Sequence, residues 1–314
     1  AGVTAKYTDK FTVVGDLMAD VSRWALDEGF DDNLGIRLGK PENRSISKTS
    51  SNASQPDIPI ELIGILPGSK SLKLTQGMPL SLAIAEGIHR VRPHTRFVIP
   101  VAPTLDIETL ARFANPQHNP AIRTLGWAEA ELKFEADCFG CAEHTANAYL
   151  QTRSGLKVYL WTHTPPYDVL SQCRLCLTTV GANTAELGSL AVPMLVLLPT
   201  QQLSAMRAWD GLPGLLVNLP VVGSGMAKFI NGCAFVWVSR QAEDSRFAWP
   251  NIWAGKQIVP ELIGRLETEA VARLACDYLE NPERLEEMRS CLRQVRGKPG
   301  AAQKLARLVA DVLA

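Results

Sequence analysis

The chain has 314 residues, 46% of them apolar and 20% charged, which is ordinary for a globular protein able to bury one large core or two smaller ones. Lys plus Arg and Asp plus Glu balance at 32 each, so no overall electrostatic attraction to nucleic acid or to an anionic membrane is implied. No stretch approaches the roughly 20 apolar residues of a membrane span, and the N-terminal AGVTAKYTDKF has neither the apolar core nor the basic flank of a signal peptide. It also lacks Met and reads as the start of a fragment or a processed product.

In chain order, FTVVG at 11–15 reads as a strand and DLMADVSRWALDEGF as a helix, a pair that cannot bury itself without partners upstream. Residues 31–57 are rich in Ser, Asn, Gly, Pro and charge, and are expected to be a linker or mobile loop. A compact region then opens with a buried strand at Ile60–Leu66, and Pro67-Gly68-Ser69-Lys70 forms a tight turn leading toward the helix MPLSLAIAEGIHRVRP. Leu80, Ile84, Ile88 and Val91 share one face of that helix. RFVIPVAP at 96–103 is the next strand, so Ser69 and Lys70 fall at the end of the first strand of a βαβ unit, where an α/β sheet meets ligands. Lys70 could hold a phosphate as a point charge, or be a solvated turn lysine.

LDIETLARFA looks helical, after which 115–155 has no sustained period and reads as an insertion with short helices or a hairpin. LKVYLWT at 156–162 is a strand, and PPYDVLSQC is a short helix whose prolines suit a first turn. Next comes the stretch richest in signals, RLCLTTVGANTAELGSLAVPMLVLLP. It reads as strand, turn, short helix and strand, with apolar runs too continuous for a half-exposed sheet and so suited to parallel pairing. Asn183 is placed to cap the helix and Glu186 to close a capping box, leaving backbone N–H groups and the Thr184 hydroxyl at a strand's carboxyl end. A capped turn without a ligand is the bland alternative.

Beyond Leu198, WPNIWAGK at 249–256 reads as an apolar loop, with Pro260 and Glu261 starting or flanking a helix. Three helical segments follow, broken at Asn281-Pro282 and at Gly297–Gly300; Leu305, Leu308, Val309 and Val312 make the last amphipathic. Trp209, Leu212, Leu215 and Leu216 are apolar positions that suit a core or a lipid-facing surface. The 7 cysteines, an odd number spread over a large domain, point to reduced thiols. Cys138/Cys141 and Cys173/Cys176 have CxxC spacing and could in principle form a four-thiolate zinc site. The gap between the pairs exceeds the common ribbon spacing, and Cys176 falls within a strand, so buried thiols or a lone surface pair are expected.

Four pieces in order, VVGDLMADV, ILPGSK, TTVGANTAELGSLAVPMLVLLP and WPNIWAGKQIVPEL, give a sequence that resembles the lipid-A-disaccharide synthase family. The last is the most specific, because an Asn and Ala-Gly-basic loop before Val-Pro-Glu-Leu is not a generic feature of nucleotide-binding folds. The resemblance implies an α/β, Rossmann-like parallel sheet with flanking helices, the C-terminal donor-binding half of a GT-B glycosyltransferase. Residues 1–30 would then be a remnant of the N-terminal acceptor domain, and 58–314 the donor domain. The family transfers 2,3-diacylglucosamine from its UDP derivative to lipid X and releases UDP, so the implied partners are a UDP-linked acylated amino sugar and a lipid acceptor. The resemblance implies no cofactor beyond the UDP-sugar substrate, no nucleic acid, and a cytoplasmic setting with a peripheral inner-membrane contact, a missing N-terminal domain or a homo-oligomer left open.

By the same resemblance Gly68, Ser69 and Lys70 would face the diphosphate, with Lys70 standing where the family has arginine. Asn183, Thr184 and Glu186 would occupy the family's Ser-Gly-Thr-Ala-x-Glu-like turn, and Asn251, Gly255, Lys256 and Glu261 its nucleotide-side loop. Gly15-Asp16 departs from the family's Gly-His or Gly-Asn. No general base is assigned. A non-catalytic binding or assembly protein on this fold, and another UDP-sugar GT-B enzyme such as an epimerase, remain the alternative expectations.

Overall fold

The computed structural model describes residues 12–24, 61–135, 147–200 and 246–313. Glu61–Leu66 forms β1, buried at every position as befits a strand covered on both faces. Then come α1 (Ser71–Val91), β2 (Thr95–Pro100), α2 (Ile107–Arg112), α3 (Ala121–Leu125), β3 (Ala130–Glu135), β4 (Asn147–Thr152) and β5 (Lys157–Trp161). They are followed by α4 (Tyr167–Ser171), β6 (Leu175–Thr179), α5 (Ala182–Ser189) and β7 (Met194–Pro199). After residue 246 the chain forms α6 (Trp249–Ala254), β8 (Glu261–Gly264), α7 (Thr268–Glu280), α8 (Pro282–Val295) and α9 (Ala301–Leu313).

The strands make one sheet in the order β3-β4-β5-β2-β1-β6-β7-β8. From β5 to β8 all neighbours are parallel, and β3–β4 and β4–β5 are antiparallel. The expected parallel sheet therefore gains a two-strand antiparallel edge from the insertion. β3 leaves much of its length in water, as antiparallel edge strands can, so AELKFE carries no continuous apolar run for a sequence reading to find. From β1 the chain crosses through α1 to β2 on one flank; on the other flank β6 leads outward to β7 and β8. The strand order reverses between β1 and β6, and the crevice at their carboxyl ends is the topological switch point.

One face of the sheet buries Ile63, Ile65, Phe97, Leu177 and Leu195 with residues of α1 and α7. The other buries Leu62, Val98, Trp161, Cys176 and Val196 with α4, α5 and α8. Helix α1 begins well before Met78 and runs through Pro79. Pro79 has no N–H for the Thr75 carbonyl, and Asn119 Nδ2 donates to that carbonyl instead at 2.8 Å. The buried Asn119 amide thus offsets the cost of a proline inside the helix.

Three local expectations are corrected. Thr12–Asp16 has no regular structure, and Leu17–Trp24 is a 3-10 helix. It packs against α4, α5 and α9, so it finds partners within the described body. Trp249–Ala254 is a helix rather than a loop; at 6 residues it is too short to show a period, and it ends where Gly255 takes the left-handed conformation. Glu261 opens strand β8, not a helix, because Val196–Pro199 of β7 offers it a parallel partner. The readings on residues 31–57, on Cys138/Cys141 and on Trp209–Leu216 lie outside the described residues.

Candidate functional site

The two turns singled out from sequence meet at the switch point. β1 pairs with β6 up to Leu66 opposite Thr178, so Gly68-Ser69-Lys70 and Val180-Gly181 emerge side by side. Gly68 has φ +106° and Gly181 φ +147°, conformations that L side chains rarely adopt. At each, the chain turns sharply from strand into helix. Neither α1 nor α5 has a side-chain cap; Lys73 N and Thr184 N turn back to Lys70 O and Gly181 O, and no capping side chain covers the amides before them. Ser69 and Lys70 are exposed at its rim.

The capping box expected of Asn183 and Glu186 does not form. Gly181 is the N-cap and Asn183 lies inside the first turn, because glycine lets the chain enter the helix directly from β6. Thr184 is fully buried; its hydroxyl donates to Gly181 O at 2.8 Å and accepts from Trp249 N at 3.1 Å. That hydroxyl ties the turn to α6. Glu186 is half-buried, and burial pushes its carboxyl above the usual carboxylate range. Tyr167 of α4 is raised by burial first and by the Glu186 charge second, which places the two groups together.

Asn251 and Glu261 form a staple. Asn251, with no exposed surface, donates to Val259 O (2.9 Å) and Glu261 Oε1 (2.7 Å), and accepts from Ile258 N (2.7 Å) and Val259 N (2.9 Å). Glu261 also accepts from Phe247 N (3.1 Å) and Ala248 N (2.9 Å). Every polar atom of the Asn251 amide is thus engaged within the chain, fixing the 255–260 turn beneath α6. Gly255 and the exposed Lys256 follow the far end of α6, about 9 Å of helix from the Trp249–Thr184 contact.

Two residues at the crevice escaped the sequence reading. Lys73, in the first turn of α1, donates from Nζ to Val180 O at 3.0 Å. Thr179, the last residue of β6, has a buried hydroxyl without a hydrogen-bond partner. The signal for Lys73 was the spacing of Lys70 and Lys73, three apart and so on one face once the helix is known to start at Ser71. Cys173 and Cys176 are buried beside Gly64, and burial pushes the Cys173 thiol well up. Among the described residues, no three His, Cys, Asp or Glu side chains are grouped to hold a metal ion.

No family model matches the chain. Curated relatives do. A lipid-A-disaccharide synthase of Persephonella marina is 23% identical over 256 residues, covering 80% of this chain and 51% of the relative. That of Geobacter metallireducens is 24% identical over 259 residues, covering 80% and 49%. That of Alcanivorax borkumensis is 32% identical over 107 residues, covering 32% and 27%. The chain spans about half the length of the first two relatives. With four motifs in order and a mostly parallel α/β sheet that joins two of them at its switch point, the chain is similar over 80% of its length to lipid-A-disaccharide synthases.

Proposed function

We propose that this chain is the donor-binding portion of a glycosyltransferase of the lipid-A-disaccharide synthase type. It would take 2,3-diacylglucosamine from its UDP derivative for transfer to a lipid acceptor of the lipid X kind. The observation that carries this reading is the convergence of the Gly68 and Gly181 turns, with the uncapped starts of α1 and α5, at the switch point between β1 and β6. Aligned helix amides and a nearby lysine favour an anion there, and a diphosphate is the anion that a nucleotide-sugar donor supplies.

In the transfer the acceptor hydroxyl forms a bond to the sugar's anomeric carbon, while the bond from that carbon to the β-phosphate oxygen breaks. Its electron pair stays on UDP, and the hydroxyl proton passes to a general base. This chain's part is to bind the donor and to stabilise the charge that UDP gains. No cofactor is required for it. The half-buried Glu186, next to Tyr167, offers an acceptor for sugar or ribose hydroxyls. No helix among the described residues is long and apolar enough to cross a membrane; a cytoplasmic protein meeting its lipid substrates at the membrane surface suits the proposed reaction.

Calorimetric titration with UDP, beside ADP and GDP, tests the reading, repeated with Glu186→Ala and Lys256→Ala. Selective UDP binding that weakens in Glu186→Ala supports a donor site on α5. Equal affinity for all three, or none in a folded chain, overturns it. Lys256→Ala reports whether the far end of α6 takes any part.

A further inference from the structure

Lys73 is held in an unusual place. Its stem lies along the turn after β1, where a Cβ on Gly68 would fall 2.9 Å from Lys73 Cβ and 3.3 Å from its Cδ. Its Nζ lies 3.0 Å from Val180 O and 3.1 Å from where a Cβ on Gly181 would stand. A side chain at either glycine would displace it. The lysine therefore spans the crevice, from the turn after β1 to the turn after β6.

Beneath its stem lies Thr179, 8% exposed, whose Oγ1 has no hydrogen-bond partner and sits 3.4 Å from the same Gly68 position. A buried hydroxyl left unpaired lowers stability, and native structures keep such groups chiefly where something else engages them. The amides at the uncapped start of α5 open at this point, immediately after Thr179 and Val180. An ammonium, a hydroxyl and helix amides converge on one spot. Each suits a phosphate oxygen.

We infer that Lys73, rather than the exposed Lys70, is the cation that meets the donor's diphosphate, with the Thr179 hydroxyl and the first amides of α5 completing the cradle. This rests on the donor-binding reading above and names the residues that would carry out its charged step. An incoming phosphate draws the ammonium off Val180 O into a charge-assisted bond, and the movement of the stem uncovers Thr179. When the anomeric carbon departs, the electron pair left on the β-phosphate oxygen meets a cation already in position. Lys70, at the rim, adds long-range attraction that salt screens.

The test uses the whole chain and three probes: inorganic pyrophosphate, UDP and uridine. Lys73→Gln keeps a donor for Val180 O while losing the charge, which separates binding from folding; Lys73→Ala and Lys73→Arg bracket it, and Lys70→Gln is the comparison. Lys73→Gln is expected to weaken pyrophosphate and UDP about ten- to a hundredfold, to flatten the salt dependence of binding, and to leave uridine affinity unchanged. Lys70→Gln should cost distinctly less, Lys73→Arg should restore most of the affinity, and Thr179→Val should weaken both phosphates several-fold. Equal losses for Lys70→Gln and Lys73→Gln, or a Lys73→Gln chain that binds pyrophosphate as the parent does, would overturn the assignment. Lys73-dependent binding of pyrophosphate with no preference for UDP would keep the cradle and sink the uridine-nucleotide reading. Selective UDP binding indifferent to Lys73 would do the reverse.

Discussion

The resemblance implies a nucleotide-side loop at Asn251, yet its four hydrogen bonds all close within the chain, and a substitution there separates the two meanings. Asn251→Ala would strand the Ile258 and Val259 amides and the Val259 carbonyl, and would remove one donor from Glu261, which keeps Phe247 N and Ala248 N. At about 1–3 kcal/mol for each buried group left unpaired, with water recovering part, the loss comes to about 3–5 kcal/mol. Asn251→Asp is sharper. It keeps an acceptor for the two amides but sets a carboxyl oxygen where Nδ2 now lies 2.7 Å from Glu261 Oε1 and 2.9 Å from Val259 O. The pair must then hold a proton. In the unfolded chain the new aspartate releases its proton near pH 3.9, so above that pH the folded variant binds more protons than the unfolded one. Its stability relative to the parent is nearly intact at pH 4 and falls as pH rises, by about 1.4 kcal/mol per pH unit until the pair ionises. Urea midpoints of parent and variant at pH 4.5, 6 and 7.5, without nucleotide, measure this. A variant whose deficit does not grow with pH, or an alanine variant that loses less than about 1 kcal/mol, would refute the staple and return Asn251 to the list of ligand contacts.

Three further outcomes are expected. Gly77→Ala should gain about 1 kcal/mol of helix propensity, yet its Cβ would meet Pro67 O at 2.5 Å; overpacking of about 1–3 kcal/mol should win. Urea unfolding that shows a net gain would refute that close approach. Glu61, at the amino end of β1, binds Arg92 through two bonds (2.8 and 3.0 Å) and Arg174 at 2.9 Å. Glu61→Ala should therefore cost about 3 kcal/mol or more, against less than about 1 kcal/mol for removing the exposed Arg90–Glu269 pair, as read from urea midpoints. His89 is held below its usual pKa, chiefly by burial and then by the Arg96 charge. The unfolded chain thus takes up a proton near pH 6.5 that the fold resists, so stability is full above that pH and declines below it. His89→Gln should flatten the melting temperature between pH 7.5 and 5; an unchanged slope would discount this histidine.

The sheet was legible wherever strands are buried on both faces, because continuous runs such as ELIGIL and MLVLLP leave no other reading. It was illegible where pattern gives way to context. β3 pairs through its backbone while its side chains alternate without a strong apolar set, and β8 has four residues whose strand character comes from β7 beside it. Site residues followed the same rule. Gly68 and Gly181 were readable as punctuation between strand and helix, but Lys73 could be found only once α1 was known to start at Ser71. Motif matching also blurred two kinds of residue: Thr184, Asn251 and Glu261 sit in family-like stretches and spend their polar groups inside the chain. Sequence shows that such residues matter; only hydrogen-bond geometry shows to what.

The two ends of the same parallel strands use their polar groups differently, and that asymmetry argues for which end works. At the amino end Glu61 engages Arg92, Arg174 and Thr95, and Arg174 also reaches Leu279 O, so a cluster of charges is closed on itself. At the carboxyl end Thr179 Oγ1 and Trp161 Nε1, on β6 and β5, are buried without partners, and two helices begin without side-chain caps. The unpartnered His89 Nδ1 and Ser189 Oγ belong to helices, His89 beside Phe97 near the amino end of β2. A fold selected for stability alone would gain by closing the carboxyl end as it closes the amino end: a threonine-to-valine change at 179 or a capping side chain at 181 is a small step. Glycine at 181 instead keeps the ammonium of Lys73 against the start of α5. An unpaired hydroxyl at the switch point, on the last residue of β6, is what a binding edge looks like before its ligand arrives. It also predicts that Thr179→Val stabilises the unliganded chain, by about 1 kcal/mol, while weakening pyrophosphate; a variant that loses stability instead would show that the hydroxyl serves the fold.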